Sequence, residues 1–256
     1  MDSPTQRLDR PASAGASDSA LRFLPPAQTH TYRVEGFALA ASGVLFLAKA
    51  FFDLRVGEPP SGGREILAWM SAEKFSISMT NEILIVASVL LVPGVIGLYT
   101  SLVRFDRRKT AIGCGIVAVL IPVIVAIGIV HGRFVYPVYD IDIKDPSVVQ
   151  VVASIYYGGE HAVLLLFGVA TIVLSLAMRN TPYGTKIVAL GVATGVADLI
   201  GSYPWLIGSA LTFVSELLFA LWLIAVGATL VRLVGGGSGP PKRRSIVPAD
   251  GARAAP

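Results

Sequence analysis

The chain is poor in the residues from which most catalytic, redox and metal sites are built. Its 256 residues include one cysteine and three histidines, and only 15% of them are charged. A single cysteine, Cys114, excludes an intrachain disulfide and a paired-thiol redox motif. The sequence also lacks the HExxH, GxSxG, GxxxxGKS/T and GxGxxG patterns that mark common zinc, nucleophile and phosphate sites. We therefore expect no catalytic residues and no cofactor, and the sequence assigns no metal.

Long apolar stretches occupy most of the chain instead. Apolar residues make up 54% of it, and its mean hydropathy is +0.67. A helix of about 20 apolar residues spans the ~30 Å hydrocarbon core of a bilayer. Six stretches have about this length: Val34–Phe52, Ile83–Val103, Ala111–Val130, Ile155–Met178, Ile187–Trp205 and Ala210–Val231. The sequence therefore predicts an all-α, polytopic transmembrane helical bundle of six spans in the plasma membrane, with the lipid bilayer as a partner.

The two ends of the chain differ in composition from its apolar middle. Residues 1–32 are rich in Ala, Ser, Pro and Asp and predict a disordered N-terminal tail. Residues 33–233 form the predicted six-helix transmembrane domain. Residues 234–256 begin with a glycine-rich run and a Lys-Arg-Arg triplet, which predict a disordered basic C-terminal tail. The first 20 residues lack the apolar core of a signal peptide, so the first span is expected to act as an uncleaved anchor.

Basic residues are distributed unevenly about the six spans. Cytoplasmic loops of membrane proteins collect Lys and Arg, and this bias sets the orientation of the spans. With the N-terminus inside, 15 of the 21 Lys and Arg residues fall on the cytoplasmic side: Arg7, Arg10, Arg22, Arg33, Arg104, Arg107, Arg108, Lys109, Arg179, Lys186, Arg232, Lys242, Arg243, Arg244 and Arg253. Both termini are therefore predicted to be cytoplasmic. The net charge of +4 does not indicate nucleic-acid binding, because the basic residues are segregated by membrane side. We therefore expect no nucleic-acid partner.

Five charged or histidine residues lie at depth within the predicted spans, whereas Glu35 lies at the inner boundary of the first span. A charged side chain at the bilayer centre costs about 2.5–3.5 kcal/mol on insertion scales, so such residues usually face the bundle interior or a wet cavity. They are Lys49, Glu160, His161, Asp198 and Glu216. On the predicted topology, nearly all of them fall in the outer half of the bundle. Lys49 and Asp53 are four residues apart, so they can form an ion pair on one face of the first span.

Helical spacing indicates which of these residues face other helices. Gly191 and Gly195 share a face with Asp198 on the fifth span. Small residues four apart allow close helix approach, so Asp198 is expected to point into a packed interface. On the sixth span, Thr212 and Glu216 are four residues apart and lie on one face. The spacing therefore predicts that carboxylates from different spans point inward at similar depth.

Two interpretations of this group stay open. In the first, an outward-facing polar pocket binds or passes a small solute or ion, as a transporter would. The ligand-binding residues are then Glu160, His161, Asp198, Glu216, Lys49 and Tyr157. In the second, the protein is a non-catalytic accessory or interaction protein whose buried charges are structural. Lys49 then pairs with Asp53 or Glu216, and His161 pairs with Asp198.

Residues at the span edges and in the outer loops have simpler interpretations. Glu82 and His131 are expected at the level of the lipid headgroups. Residues 64–75 predict either a short amphipathic helix at the membrane surface or an ordinary loop. The 136–145 loop carries three aspartates but lacks the glycine and the distal glutamate of an EF-hand, so we expect solvated charges there rather than a calcium site. A zinc site is disfavoured because His161 is the only deeply placed histidine.

Three short segments resemble a group of bacterial membrane proteins. They are LLVPGVIGLYTSL at 90–102, YYGGEH at 156–161 and SYPWLIG at 202–208. On these segments and the layout of the spans, residues 34–232 are similar to the six-span proteins grouped as domain of unknown function 4386. The resemblance implies a helical bundle without an established activity, and it gives no residue a role. The small-residue face of Gly191 and Gly195 also predicts a homo-oligomer or a membrane partner protein.

Overall fold

The structure is a computed structural model, and it describes residues 32–233. Eight α-helices fill this region: α1 (Arg33–Val56), α2 (Gly63–Ala72), α3 (Lys74–Leu102), α4 (Arg107–Gly132), α5 (Pro146–Ala177), α6 (Gly184–Gly201), α7 (Pro204–Ile207) and α8 (Ser209–Arg232). The described residues contain no β-strand, only one isolated bridge between Val138 and Ile141. The predicted all-α class is therefore confirmed for this part of the chain. The predicted tails, residues 1–32 and 234–256, lie outside the described residues apart from Tyr32.

Six of these helices are long and apolar enough to cross a membrane. They are α1, α3, α4, α5, α6 and α8, and they contain 18 to 32 residues each. The two short helices, α2 with 10 residues and α7 with 4, lie between consecutive spans. The chain is thus a polytopic transmembrane bundle of six spans, as its apolar stretches predict.

The six spans form a closed ring. Around this ring, α1 packs against α3, α3 against α4, α4 against α5, α5 against α6, α6 against α8, and α8 back against α1. Because successive spans run in opposite directions, Arg33 and Arg232 lie at the same end of the bundle, here named the terminal end. The opposite end carries α2, α7 and the 133–145 loop, and is named the loop end.

Glycine residues allow the ring to close between α1 and α8. A Cβ atom on Gly36 would lie 2.7 Å from the backbone oxygen of Gly227, and one on Gly227 would lie 2.6 Å from the backbone nitrogen of Ala40. The two backbones are therefore in direct contact, which only glycine permits at these positions. α5 and α6 approach each other in the same way at Gly168 and Gly195. This second approach confirms the close packing that the small residues of α6 predict.

Apolar side chains cover the outside of the ring and fill its terminal half. Exposed apolar residues occur on all six spans, among them Val44, Val89, Val119, Leu166, Val196 and Leu221. Inside the terminal half, buried residues such as Leu98, Leu174 and Leu230 belong to one continuous apolar core. The terminal half also contains isolated buried hydroxyl groups, such as those of Ser101, Thr110 and Ser175.

Two spans begin well before the apolar stretches that predict them. α3 begins at Lys74 and α5 at Pro146, each nine residues before the predicted start. Asp145 caps α5, since its carboxylate accepts hydrogen bonds from the backbone N–H groups of Ser147 and Val148. At 1.5 Å per residue, α3 and α5 are about 44 and 48 Å long, more than the ~30 Å hydrocarbon core. Their first turns therefore extend past the apolar layer at the loop end.

The 64–75 segment contains α2, so the helical interpretation of this segment is confirmed. Its residues Ile66 and Met70 are buried in a small apolar cluster that includes the start of α5. The indole Nε1 of Trp69 donates a hydrogen bond of 3.1 Å to the carbonyl oxygen of Val56, at the end of α1. α2 is therefore fixed to the bundle at both of these helices and forms part of the wall at the loop end.

Candidate functional site

A cavity of about 300 Å³ lies at the loop end of the ring and is named the outer cavity. Every helix except α6 contributes to its wall. Its mouth includes the exposed residues Glu58 and Trp205. The other polar and aromatic residues of the wall are Asp53, Trp69, Thr80, His131, Tyr156, Tyr157, Glu160, Ser209, Thr212, Phe213 and Glu216. Its volume is at the lower end of the ~300–1,000 Å³ range of small-molecule pockets.

Four ionisable residues meet at the base of the outer cavity and form the charged cluster: Lys49, Asp53, Glu160 and Glu216. The Lys49 ammonium group pairs with Asp53, one turn later on α1, and lies 2.7 Å from Oε1 of Glu216 and 3.7 Å from Oε1 of Glu160. Thr80 Oγ1 donates a hydrogen bond of 2.8 Å to the second oxygen of Asp53. Lys49 itself is only 5% exposed. The buried ammonium group thus joins α1, α5 and α8, and the hydroxyl group of Thr80 connects α3 to the cluster through Asp53.

The charged cluster contains more acidic than basic groups. One ammonium group faces three carboxyl groups, so the cluster contains two more acidic groups than basic ones. A carboxylate away from bulk water is costly unless a cation or hydrogen-bond donors compensate it. Lys49 can neutralise only one of the three. The arrangement therefore has the capacity to take up further positive charge from the outer cavity.

A smaller cavity of about 60 Å³, named the inner cavity, lies on the terminal side of the charged cluster. Glu160 and Glu216 line both cavities, so the charged cluster forms the boundary between them. Three rings close the inner cavity towards the terminal end and are named the aromatic floor: Phe46, Phe167 and Phe219. The Phe219 ring centroid lies 5.4 Å from that of Phe46 and 4.8 Å from that of Phe167.

Asp198 contributes a carboxylate to the inner cavity. It is 1% exposed, and its Oδ1 atom accepts a hydrogen bond of 2.7 Å from the hydroxyl group of Ser215 on α8. Its Oδ2 atom is buried and has no hydrogen-bond partner among the described residues. The prediction that Asp198 points into a packed interface is confirmed, and the side chain keeps one acceptor oxygen unused.

His131 lies in the wall of the outer cavity and is 5% exposed, so it is not the surface residue expected at headgroup level. Its ring stacks on Tyr156 with 4.3 Å between the centroids, and Phe134 packs edge-on at 5.7 Å. The Nδ1 atom of His131 has no hydrogen-bond partner among residues 32–233. A buried polar ring without a partner therefore borders the outer cavity. Glu82, by contrast, is exposed on α3 as expected.

His161 does not line the outer or the inner cavity. Its Nδ1 atom lies 2.5 Å from the carbonyl oxygen of Ser202, and since a carbonyl can only accept, Nδ1 carries the proton. Its ring centroid lies 4.7 Å from that of Tyr203 and 5.4 Å from that of Trp205. The alternative pair of His161 with Asp198 is not formed, because Asp198 bonds to α8 instead. His161 therefore joins α5 to the turn between α6 and α8.

The structure brings most of the predicted ligand-binding residues together. Those that line one or both cavities are Lys49, Tyr157, Glu160, Asp198 and Glu216. Sequence reasoning missed Trp69, Thr80 and Phe213, because nothing in their spacing distinguishes a cavity wall from ordinary packing. Among the described residues, no group of three or more His, Cys, Asp or Glu side chains is arranged to hold a metal ion.

Comparisons of the chain with protein-family models, with curated proteins and with solved structures found no match. The resemblance of residues 34–232 to the proteins grouped as domain of unknown function 4386 stays a prediction. Function is inferred below from the geometry and the charges of the two cavities.

Proposed function

We propose that this membrane protein binds a small solute or ion in the outer cavity, against the charged cluster. The observation that carries the proposal is the excess of carboxylates over cations at the base of a cavity large enough for a ligand. Polar groups at membrane depth are costly, and in membrane proteins they commonly mark substrate or ion pathways. A ligand in this cavity would offset that cost by supplying the missing contacts.

The charge distribution supports an orientation in which the outer cavity faces the outside of the plasma membrane. The described Lys and Arg residues at the terminal end are Arg33, Arg104, Arg107, Arg108, Lys109, Arg179, Lys186 and Arg232. Those at the loop end are Arg55, Arg64, Lys74, Arg133 and Lys144, accompanied there by Glu58, Glu65, Glu73, Asp140, Asp142 and Asp145. Because cytoplasmic segments collect Lys and Arg, the terminal end and both termini belong in the cytoplasm.

Passage of the ligand across the membrane would require a second conformation. The outer cavity is lined by loop-end residues, whereas Phe46, Phe167 and Phe219 close the inner cavity on the other side. Transporters alternate between states that open to one side at a time. The described conformation has the features of an outward-facing state, and opening of the aromatic floor would complete the pathway.

The alternative function is that of a non-catalytic accessory protein whose buried charges hold the bundle together. One observation favours it: the Lys49 ammonium group finds all its partners within the bundle, on α1, α5 and α8. Such a protein would act through a membrane partner protein or a second copy of itself, and its outer cavity would bind nothing.

A thermal-unfolding screen of the purified protein in detergent separates the two functions. The panel contains amines, amino acids, sugars, metal ions and short-chain lipids, and it is run on the wild type, Glu160→Gln and Asp198→Asn. A ligand present at 100 times its Kd stabilises the folded state by about 2.7 kcal/mol, which a melting curve detects. We expect at least one compound to raise the Tm of the wild type and to lose this effect in Glu160→Gln.

Glu82→Gln is the matched control, because it is the same chemical change at an exposed position of α3. This variant should respond to the compound as the wild type does. If no compound raises the Tm of the wild type, and Glu160→Gln and Asp198→Asn are both less stable than it, the binding proposal fails and the accessory function is favoured.

A further inference from the structure

We infer that the ligand of the outer cavity is an organic ammonium ion, a small amine or quaternary ammonium compound. This inference rests on the proposed function, and names the chemical class that the wall of the outer cavity recognises. Four observations lead to it: the sign of the charge, the aromatic residues, an unpaired histidine and the arrangement of the carboxylates.

The acidic groups of the wall favour a cation. Asp53, Glu160 and Glu216 line the outer cavity, and Glu58 stands at its mouth. Within residues 32–233, the only ammonium group in contact with this set is that of Lys49, which is already paired. An anionic ligand would be repelled, and a neutral one would leave the excess carboxylates as they are.

Aromatic side chains occupy much of the remaining wall. Trp69, Tyr157, Trp205 and Phe213 line the outer cavity together with Tyr156. The faces of such rings carry partial negative charge and attract a cation within about 6 Å of the ring centroid. Carboxylates combined with several aromatic rings are the set of groups that binds ammonium ions carrying organic substituents.

His131 provides a second, independent indication of a polar ligand. Its ring is buried in the wall, and its Nδ1 atom has no partner among the described residues. A neutral imidazole has one N–H donor and one acceptor nitrogen. It can therefore accept from an ammonium N–H group or bind a hydroxyl group of the ligand. A bound amine or amino alcohol would relieve the cost of this unpaired group.

The arrangement of the carboxylates favours an organic over an inorganic cation. Ca²⁺ and Mg²⁺ require six or more oxygen ligands that converge on one point. Here Asp53, Glu160 and Glu216 surround the Lys49 ammonium group, and residues 32–233 contain no cluster suited to a metal ion. A cavity of about 300 Å³ also exceeds what a single ion needs and fits a small organic molecule.

Ammonium groups reach such a cavity either as free solutes or as the headgroups of phospholipids. Both share the chemistry that the wall recognises, and the experiment separates them. The free probes are choline and ethanolamine, and the lipid probe is a short-chain phosphatidylcholine. Each free probe has a neutral partner of nearly the same shape: 3,3-dimethyl-1-butanol for choline, and ethylene glycol for ethanolamine.

Binding is measured by titration calorimetry on the full chain, purified in detergent and stripped of lipid. We expect choline or ethanolamine to bind at least ten times more tightly than its neutral partner. Glu160→Gln should weaken that binding at least tenfold, and so should Trp205→Leu, a change at an exposed ring at the mouth of the outer cavity. Glu82→Gln should bind as the wild type does. Binding of the short-chain lipid alone, with the same loss in Glu160→Gln, would support the ammonium class with a headgroup as its source.

Three results would overturn the inference. Equal binding of the charged and neutral partners would show that the charge is not recognised. Displacement of the amine by an equal concentration of sodium chloride would point to an inorganic cation. A sugar, an amino acid anion or a metal ion that binds while both amines fail would refute the ammonium class and leave the proposed function standing. The proposed function itself fails only when no compound of any class binds.

Discussion

Lys49 is the residue on which the charged cluster depends. It is buried, and it is the only cation that the described structure places beside Asp53, Glu160 and Glu216. Removing one partner of a buried ion pair leaves uncompensated charge and costs about 3–5 kcal/mol. We therefore expect Lys49→Met to lower the free energy of unfolding by about that amount, measured by denaturant titration in detergent. The exposed Lys74→Met should cost less than about 0.5 kcal/mol.

A double variant tests whether charge, rather than lost packing, causes this effect. Glu216→Gln removes the carboxylate whose oxygen lies 2.7 Å from the Lys49 ammonium group. In the Lys49→Met background it removes an uncompensated charge, so the double variant should be more stable than Lys49→Met alone. A double variant that is less stable by the sum of the two single effects would contradict an electrostatic role for Lys49.

Ser215 donates a hydrogen bond to one oxygen of the buried Asp198 side chain. It is the only hydrogen-bond donor that the described residues give to Asp198, at 2.7 Å. Loss of a partner to a buried charged group costs about 1–3 kcal/mol or more. Ser215→Ala should therefore lower the free energy of unfolding by at least about 1 kcal/mol. The control is Ser154→Ala, at an exposed position where the hydroxyl group bonds only to a carbonyl within its own helix. This change should affect the free energy of unfolding little. Equal costs for the two variants would argue against a special role for Ser215.

For single residues, the sequence predicts which charged side chains form the site better than it predicts which contacts they make. Lys49, Glu160, Asp198 and Glu216 stand out because charge is rare at membrane depth, and all four line the cavities. The partner of His161 could not be predicted, because a backbone carbonyl at the end of α6 has no signature in the sequence. The wall positions of Trp69 and Phe213 could not be predicted either, since a ring that faces a cavity and a ring that faces lipid look alike in the sequence.

At the scale of helices, the contact between α1 and α8 determines whether the ring closes. Gly36 and Gly227 bring the two backbones together, and a Cβ atom on Gly227 would lie 2.6 and 2.7 Å from backbone atoms of Ala40 and Gly36. Backbone atoms cannot move aside as a side chain can. We expect Gly227→Ala to lower the free energy of unfolding by about 1–3 kcal/mol, the usual cost of overpacking.

Gly115→Ala is the matched control for this change. Gly115 also lies within a span, α4, but a Cβ atom there would have no neighbour within 4 Å. Alanine favours the helix over glycine by about 1 kcal/mol, so Gly115→Ala should leave stability unchanged or raise it slightly. If both variants lose the same stability, the cost lies in replacing glycine as such and not in the contact of α1 with α8.

The existence of the six spans follows from the sequence, whereas their boundaries at the loop end do not. Apolar stretches identify the lipid-facing part of each helix. The first nine residues of α3 and of α5 lie beyond that part, and Ser76, Thr80 and Asn81 of α3 are buried against the protein. Hydropathy misses such turns because it reports contact with lipid rather than helical structure. These turns matter, because Thr80 belongs to the wall of the outer cavity.

At the scale of the whole molecule, the closed ring places the charged cluster towards one end. The terminal half is filled by an apolar core, while the loop-end half encloses the charged cluster beneath the outer cavity. The closing contact joins the first and last spans, which are far apart in the chain. A sequence shows small residues on both spans but does not show that these two are neighbours. The outer cavity depends on the closed ring and therefore could not be predicted from the sequence. The charged residues that line it could be.

The orientation of the ring in the membrane is the last prediction, and it determines from which side a ligand arrives. Tyr139, which is 93% exposed, lies at the loop end, and the exposed Thr185 lies at the terminal end. Both are uncharged, so replacing them leaves the distribution of Lys and Arg intact. In a Cys114→Ala background, Tyr139→Cys should react with a membrane-impermeant maleimide on intact cells, and Thr185→Cys should react only after the membrane is opened. The reverse pattern would place the outer cavity in the cytoplasm, and its ligand would then be an intracellular compound.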